Sequence, residues 1–198
     1  ILVFLDIDIL SAILQDRTST HHQTTTMTPF DHALELTLGL EGGYSNHLMD
    51  RGGETMCGIT EAVARRHGWA GEMKDLPIDM VRHIYKVDYW DKLSGDYLGE
   101  HNAELAEELF DTSVNCGVGF ASKILQKSIN VLNRNRKEDI AEDGAIGPQT
   151  ITALKELAMR DYDYLLECCK ILQGNHYISL AHRDPTQRIF IRGWLTRV

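Results

Sequence analysis

Apolar residues recur at spacings of three and four along most of this chain, from Phe30 to Trp194. That period commits it to amphipathic helices. One stretch breaks the pattern. Residues 43–60 are rich in Gly, Asn and Asp with few apolar residues in period, and read as a loop or short hairpin. The expected fold is mostly α: a helix bundle with one small β-hairpin after its first helix. Helical runs are expected over 29–41, 61–67, 77–90, 104–114, 120–132, 148–157 and 161–181, with a short last helix around Ile189, Phe190 and Trp194. Within them Leu105, Leu109 and Thr112 should face inward. At 198 residues and 43% hydrophobic content, the chain can build one domain, or one domain with a small appendage.

The first helix carries the chemistry. Thr28 suits the N-cap, Pro29 the first helical position, and Asp31 the positive end of the helix dipole. Phe30, Leu34, Leu38 and Glu41 follow at spacings of four, four and three, and so share one face. Gly42-Gly43 stops the helix. A carboxyl held beside apolar neighbours has its charged form disfavoured, and so can keep a proton near neutral pH, which a general acid requires. The bland reading of Glu41 is a solvated glutamate at a helix end. The residues C-terminal to it favour the other: Tyr44, Asn46, a second carboxylate at Asp50, then Gly52-Gly53, Thr55 and Gly58-Ile59-Thr60. Thr60 should cap the next short helix, which Gly68 ends. An acid facing a polar hairpin that bears a second carboxylate suits glycoside hydrolysis.

These motifs have a family likeness. EGGYSN, DRGGET and GIT, in that order and spacing, resemble the signature of glycoside hydrolase family 108, phage and bacterial N-acetylmuramidases of lysozyme-like fold. YWDKLSGD at 89–96, FDTSVNCGVGFASKILQ at 110–126, DGAIGPQTITAL at 143–154 and GWLTRV at 193–198 extend the resemblance over residues 27–198. It implies a lysozyme-like domain across 27–198, with a peptidoglycan-binding-like part, 143–198, integrated in the fold. DGAIGPQT, too short to stand alone as a binding domain, then reads as a turn and helix start. The resemblance puts the catalytic acid on Glu41. The spacing from Glu41 to Asp50 to Thr55 also resembles the catalytic trio of phage-type lysozymes, which gives Asp50 the charge- or water-handling role and Thr55 a positioning hydroxyl. The implied activity is an endolysin's: cleavage of the β-1,4 bond between N-acetylmuramic acid and N-acetylglucosamine, without cofactor or metal. A lytic transglycosylase would use the same Glu41 without needing Asp50. A non-catalytic peptidoglycan-binding module would gain nothing from a desolvated acid.

Tyr44, Asn46, Trp90 and Asn115 are candidate sugar contacts, since aromatic faces and amides suit glycan CH faces and N-acetyl groups; Trp90 reads equally well as core. The net charge of −9 and the lack of a Lys/Arg stripe argue against nucleic acid as a partner. The acidic balance suits a thin, periplasmic cell wall reached from a bacterial host's cytoplasm, with the enzyme a monomer. Residues 1–26 begin with the apolar run ILVFLDIDILSAIL, which Asp6 and Asp8 interrupt, and it is too short and too charged to span a bilayer. They are expected to lie outside the catalytic fold, as introduced sequence or as a targeting remnant. Cys57, Cys116, Cys168 and Cys169 show neither CxxC nor metal-ligand spacing with His, and are expected to stay thiols.

Overall fold

A computed structural model describes residues 27–41, 44–45, 55–134, 138–157 and 159–198, apart from the side chains of 39–41 and 44–45. The chain divides into two compact units, Ile1–Asp88 and Tyr89–Val198.

In the first unit, helix α1 spans Pro29–Glu41. Its start is a reciprocal capping box: Thr28 Oγ1 accepts from the Asp31 N–H at 3.1 Å, and the Asp31 carboxylate accepts from the Thr28 N–H at 3.4 Å and from its hydroxyl at 2.6 Å. Phe30, Ala33, Leu34 and Thr37 form the buried face. Thr37 is fully buried and Leu38 only half-buried, so the stripe runs one residue to the side of the expected line. Three two-residue strands follow, β1 (Tyr44–Ser45), β2 (Thr55–Met56) and β3 (Ile59–Thr60), in an antiparallel sheet of order β1-β2-β3. One hairpin was expected; the third strand arises because Cys57-Gly58 makes a two-residue connection with φ of 50° and 75°, the double positive φ that a type I′ turn demands. Gly58 adopts this freely. Cys57 is held there from outside, since its carbonyl accepts from the Tyr85 hydroxyl at 2.8 Å in the buried interior. Helix α2 (Glu61–Arg66) is capped as expected, by Thr60 Oγ1 accepting from the Val63 N–H. A 3-10 turn, Met73–Asp75, precedes α3 (Ile78–Tyr85), whose Val81, Ile84 and Tyr85 are buried. Arg82 pairs with Asp31, and Arg82 and Lys86 lie over the Phe30 ring at 5.0 and 5.6 Å, tying α3 to the start of α1.

A π-helical turn, Lys86–Trp90, carries the chain into the second unit. There a 3-10 turn (Asp91–Leu93) leads to α4 (Gly95–His101), α5 (Ala103–Cys116), α6 (Val118–Val131), α7 (Pro148–Glu156), α8 (Asp161–Arg183), a 3-10 turn (Pro185–Ile189) and α9 (Ile191–Leu195). Helix α5 is the centre, packed against α4, α6 and α8. Its Leu105, Leu109 and Thr112 face inward as expected, each fully buried. Asn102 caps it, accepting from the Leu105 N–H at 2.8 Å. The DGAIGPQT segment closes onto α6 through one buried amide. Gln126 Nε2 donates to Asp143 Oδ1 at 2.8 Å and to the Ala145 carbonyl at 3.0 Å, while its Oε1 accepts from the Gly144 N–H at 2.9 Å. Pro148 then opens α7.

Candidate active site

Glu41 is the last residue of α1. It follows Leu34 by seven and Thr37 by four, so its Cα continues the row that Phe30, Leu34 and Thr37 bury. The chain then enters β1 at Tyr44, three residues on. Register does the rest. Tyr44 pairs with Met56 and Ser45 with Thr55, and β2 continues the rows to Ile59 and Thr60. Paired residues lie on one face, with Cα atoms about 5 Å apart. Thr55 therefore stands in the row Ser45–Thr55–Thr60, opposite the face on which Ile59 is buried, and across from a residue only four beyond Glu41. Backbone pairing thus brings positions 41, 44 and 55 of the expected site into one locality. Asn46 and Asp50 lie outside the described residues, as does the Glu41 side chain.

The remaining sugar contacts fall differently. Trp90 has none of its surface exposed. Its indole N–H donates to Asp96 Oδ1 at 2.7 Å, its ring meets Phe110 edge-on at 5.6 Å, and a Cβ on Gly95 would come within 2.4 Å of it. It is a core tryptophan with no face left for a glycan. Asn115 is half-buried on α5, and its amide nitrogen donates to the Asp111 carbonyl at 2.8 Å and to Asp111 Oδ1 at 3.1 Å. Both amide protons are thereby used within its own helix.

Sequence reasoning missed Glu108. It is buried on α5, where it accepts from the Thr112 hydroxyl at 3.3 Å, and Gln173 Nε2 donates to the same hydroxyl at 2.8 Å. Burial, and then the Asp111 charge, push its pKa from the ordinary 4.5 up to about 7. Strongly perturbed carboxyls mark functional sites only probabilistically. This one is buried, with its hydrogen bond made to Thr112 of its own helix. Among the described residues no three His, Cys, Asp or Glu converge where a metal could sit, and no helix is long and apolar enough to cross a membrane.

Residues 34–117 match the family model described as Glycosyl hydrolase 108, and residues 120–198 match one described as Predicted Peptidoglycan domain. Residues 34–117 are thereby assigned to glycosyl hydrolase family 108. Family membership fits the mostly α, lysozyme-like architecture, and with the adjoining domain it makes the protein a glycoside hydrolase that acts on peptidoglycan. All seven expected site residues, from Glu41 to Asn115, fall inside the hydrolase match. Among solved structures, one titled "Structure of Brucella abortus SagA" is similar, with 27% identity, a TM-score of 0.64, and coverage of 85% of this chain and 88% of that one. No curated protein matches.

Proposed function

We propose that this family 108 protein hydrolyses the β-1,4 bond between N-acetylmuramic acid and N-acetylglucosamine. Glu41 gives its proton to the leaving glycosidic oxygen. Asp50 stabilises the oxocarbenium-like transition state or orients the attacking water, and the Thr55 hydroxyl assists in placing that water. Tyr44 and Asn46 contact the sugar. The observation that carries this reading is local: a carboxylic acid ends a buried helical row, and within four residues the chain enters a sheet whose register sets Thr55 opposite Ser45. In this reading the protein is a lysis enzyme of the endolysin kind with antibacterial effect, made in a bacterial host's cytoplasm and acting as a monomer on the periplasmic wall. Its net charge of −9 gives nucleic acid no electrostatic purchase.

Mass spectrometry of the muropeptides released from purified peptidoglycan tests it. Reducing N-acetylmuramic acid ends are expected. Anhydro-muramic ends would replace hydrolysis by transglycosylation, reducing N-acetylglucosamine ends would move the cut to the other glycosidic bond, and absence of product would remove the activity.

A further inference from the structure

A groove of about 670 Å³ lies within the second unit, between α6 and α8. Each wall is one helical face. On α6 the lining positions are Phe120, Lys123, Ile124 and Lys127, at spacings of three, one and three; on α8, Leu172, Asn175, His176 and Ser179 repeat the same spacing, and Arg183 comes one turn later. The floor is apolar, with Ile124 buried and Leu172 half-buried. Phe120 and His176 meet at one end with ring centroids 4.3 Å apart.

The charge of this groove runs against that of the chain. Lys123, Lys127 and Arg183 line it, against one carboxylate, Glu142, in a protein whose net charge is −9. None of the three cations forms an ion pair among the described residues. Arg183 reaches only the Ser179 carbonyl, at 3.3 Å. Glu142 accepts from Asn130 at 3.3 Å. Asp143 feels the Lys123 charge but commits its Oδ1 to Gln126 and Ala145. Cations beside an apolar floor suit a ligand that carries carboxylates on short alkyl chains.

Resting on the reading that the protein acts on peptidoglycan, we propose that the α6–α8 groove binds the peptide stem of the polymer rather than its glycan strand. The glycan offers hydroxyls and acetamides, which call for amides and open aromatic faces. The stem offers free carboxylates on the side chains and terminus of a short peptide. Lys123 and Lys127 on α6 and Arg183 on α8 take the carboxylates, and the Ile124 and Leu172 surfaces take the alkyl segments. Such a contact would hold the enzyme on the wall independently of the bond being cut.

The test is isothermal titration of the whole protein with an N-acetylated stem tetrapeptide, L-Ala-γ-D-Glu-meso-diaminopimelate-D-Ala, and with the same peptide fully amidated on its carboxylates. The free-acid peptide is expected to bind, and the amidated one to bind at least about tenfold more weakly. Lys123→Glu/Lys127→Glu, both exposed positions, should weaken the free-acid peptide about tenfold or more with an unchanged melting curve. Equal affinity for the two peptides, no binding of the acid, or indifference to the double charge reversal in a folded protein would each overturn the assignment. Tighter, charge-reversal-sensitive binding of a polyglycerol phosphate would overturn it in favour of a phosphate polymer. Release of muropeptides is read separately on the unaltered enzyme. A protein that cleaves the wall without binding the stem refutes only the groove; one that binds the stem without cleaving refutes only the hydrolase.

Discussion

Glu108→Gln should make the protein more stable, and by an amount that grows with pH. In the folded protein burial and the neighbouring Asp111 hold the Glu108 pKa up at about 7, against 4.5 ordinarily, while the Thr112 hydroxyl bond and the Lys170 charge only partly oppose them. The sign comes from proton counting. Below pH 4.5 Glu108 is protonated in folded and unfolded chains alike and adds no pH dependence. Between 4.5 and 7 the unfolded chain loses this proton while the folded chain retains it, so stability falls as pH rises. Above 7 both are ionised and the folded state carries the whole cost of a buried charge. The gap between the two values corresponds to roughly 3 kcal/mol. Glutamine keeps the acceptor that Thr112 uses and cannot ionise. Urea unfolding of both proteins at pH 4.5, 6 and 8, followed through the buried Trp90 and Trp194 of the second unit, reads the difference directly, because every other titrating group is common to both. The stability of Glu108→Gln relative to the parent should rise by about 3 kcal/mol across that range. A difference that stays constant within about 0.5 kcal/mol from pH 4.5 to 8, where the linkage requires several times that, would show that Glu108 is not buried as described.

Three further outcomes are expected. Gly144→Ala forces a side chain onto a residue with φ of +83° and sets its Cβ 2.9 Å from the Gly119 carbonyl; it should lower stability by at least about 1–2 kcal/mol, and an unchanged melting temperature would show that the turn over Gln126 is not rigid. Arg197→Met removes the near-buried guanidinium that donates to Asp111 Oδ1 at 2.5 Å. About 3 kcal/mol should be lost, the scale for breaking an enclosed ion pair, and a urea midpoint equal to the parent's would mean the C-terminal residues do not pack onto α5. Asp50→Asn should cut hydrolysis of purified peptidoglycan at least about tenfold if that carboxylate handles charge or water, and full activity would shift the role to another group such as Glu54 or to none.

The parts legible in the sequence are those set by local rules. Thr28, Pro29 and Asp31 announced the start of α1, and Thr60 that of α2, because capping depends on a few adjacent residues. Leu105, Leu109 and Thr112 announced the buried face of α5 by period alone. Helix α4 was not legible: GDYLGEH contains two glycines and one fully buried large side chain, Leu98, so it has no apolar stripe and is fixed by packing on α5. The third strand was hidden because its turn places a cysteine, not Asn or Asp, at positive φ, with the Tyr85 hydroxyl twenty-eight residues away as support. Glu108 escaped because a charged letter on a buried face looks like an exposed one until tertiary partners are known. The same holds for the α6–α8 groove, whose cations are separated by more than fifty residues between Lys123 and Arg183. For the candidate active site, the order of motifs was readable, and the strand register then set Thr55 opposite Ser45; Trp90 belonged to the core, which its bare letter leaves undecided.

The most direct measurement is the turnover of Glu41→Gln on purified peptidoglycan beside its melting curve. Glutamine keeps the shape of the side chain and removes the donatable proton. Muropeptide release should fall by at least ~10²-fold, the usual scale of general acid catalysis, with the melting temperature unchanged. A folded Glu41→Gln protein that releases muropeptides at close to the parent rate would contradict Glu41 as the acid.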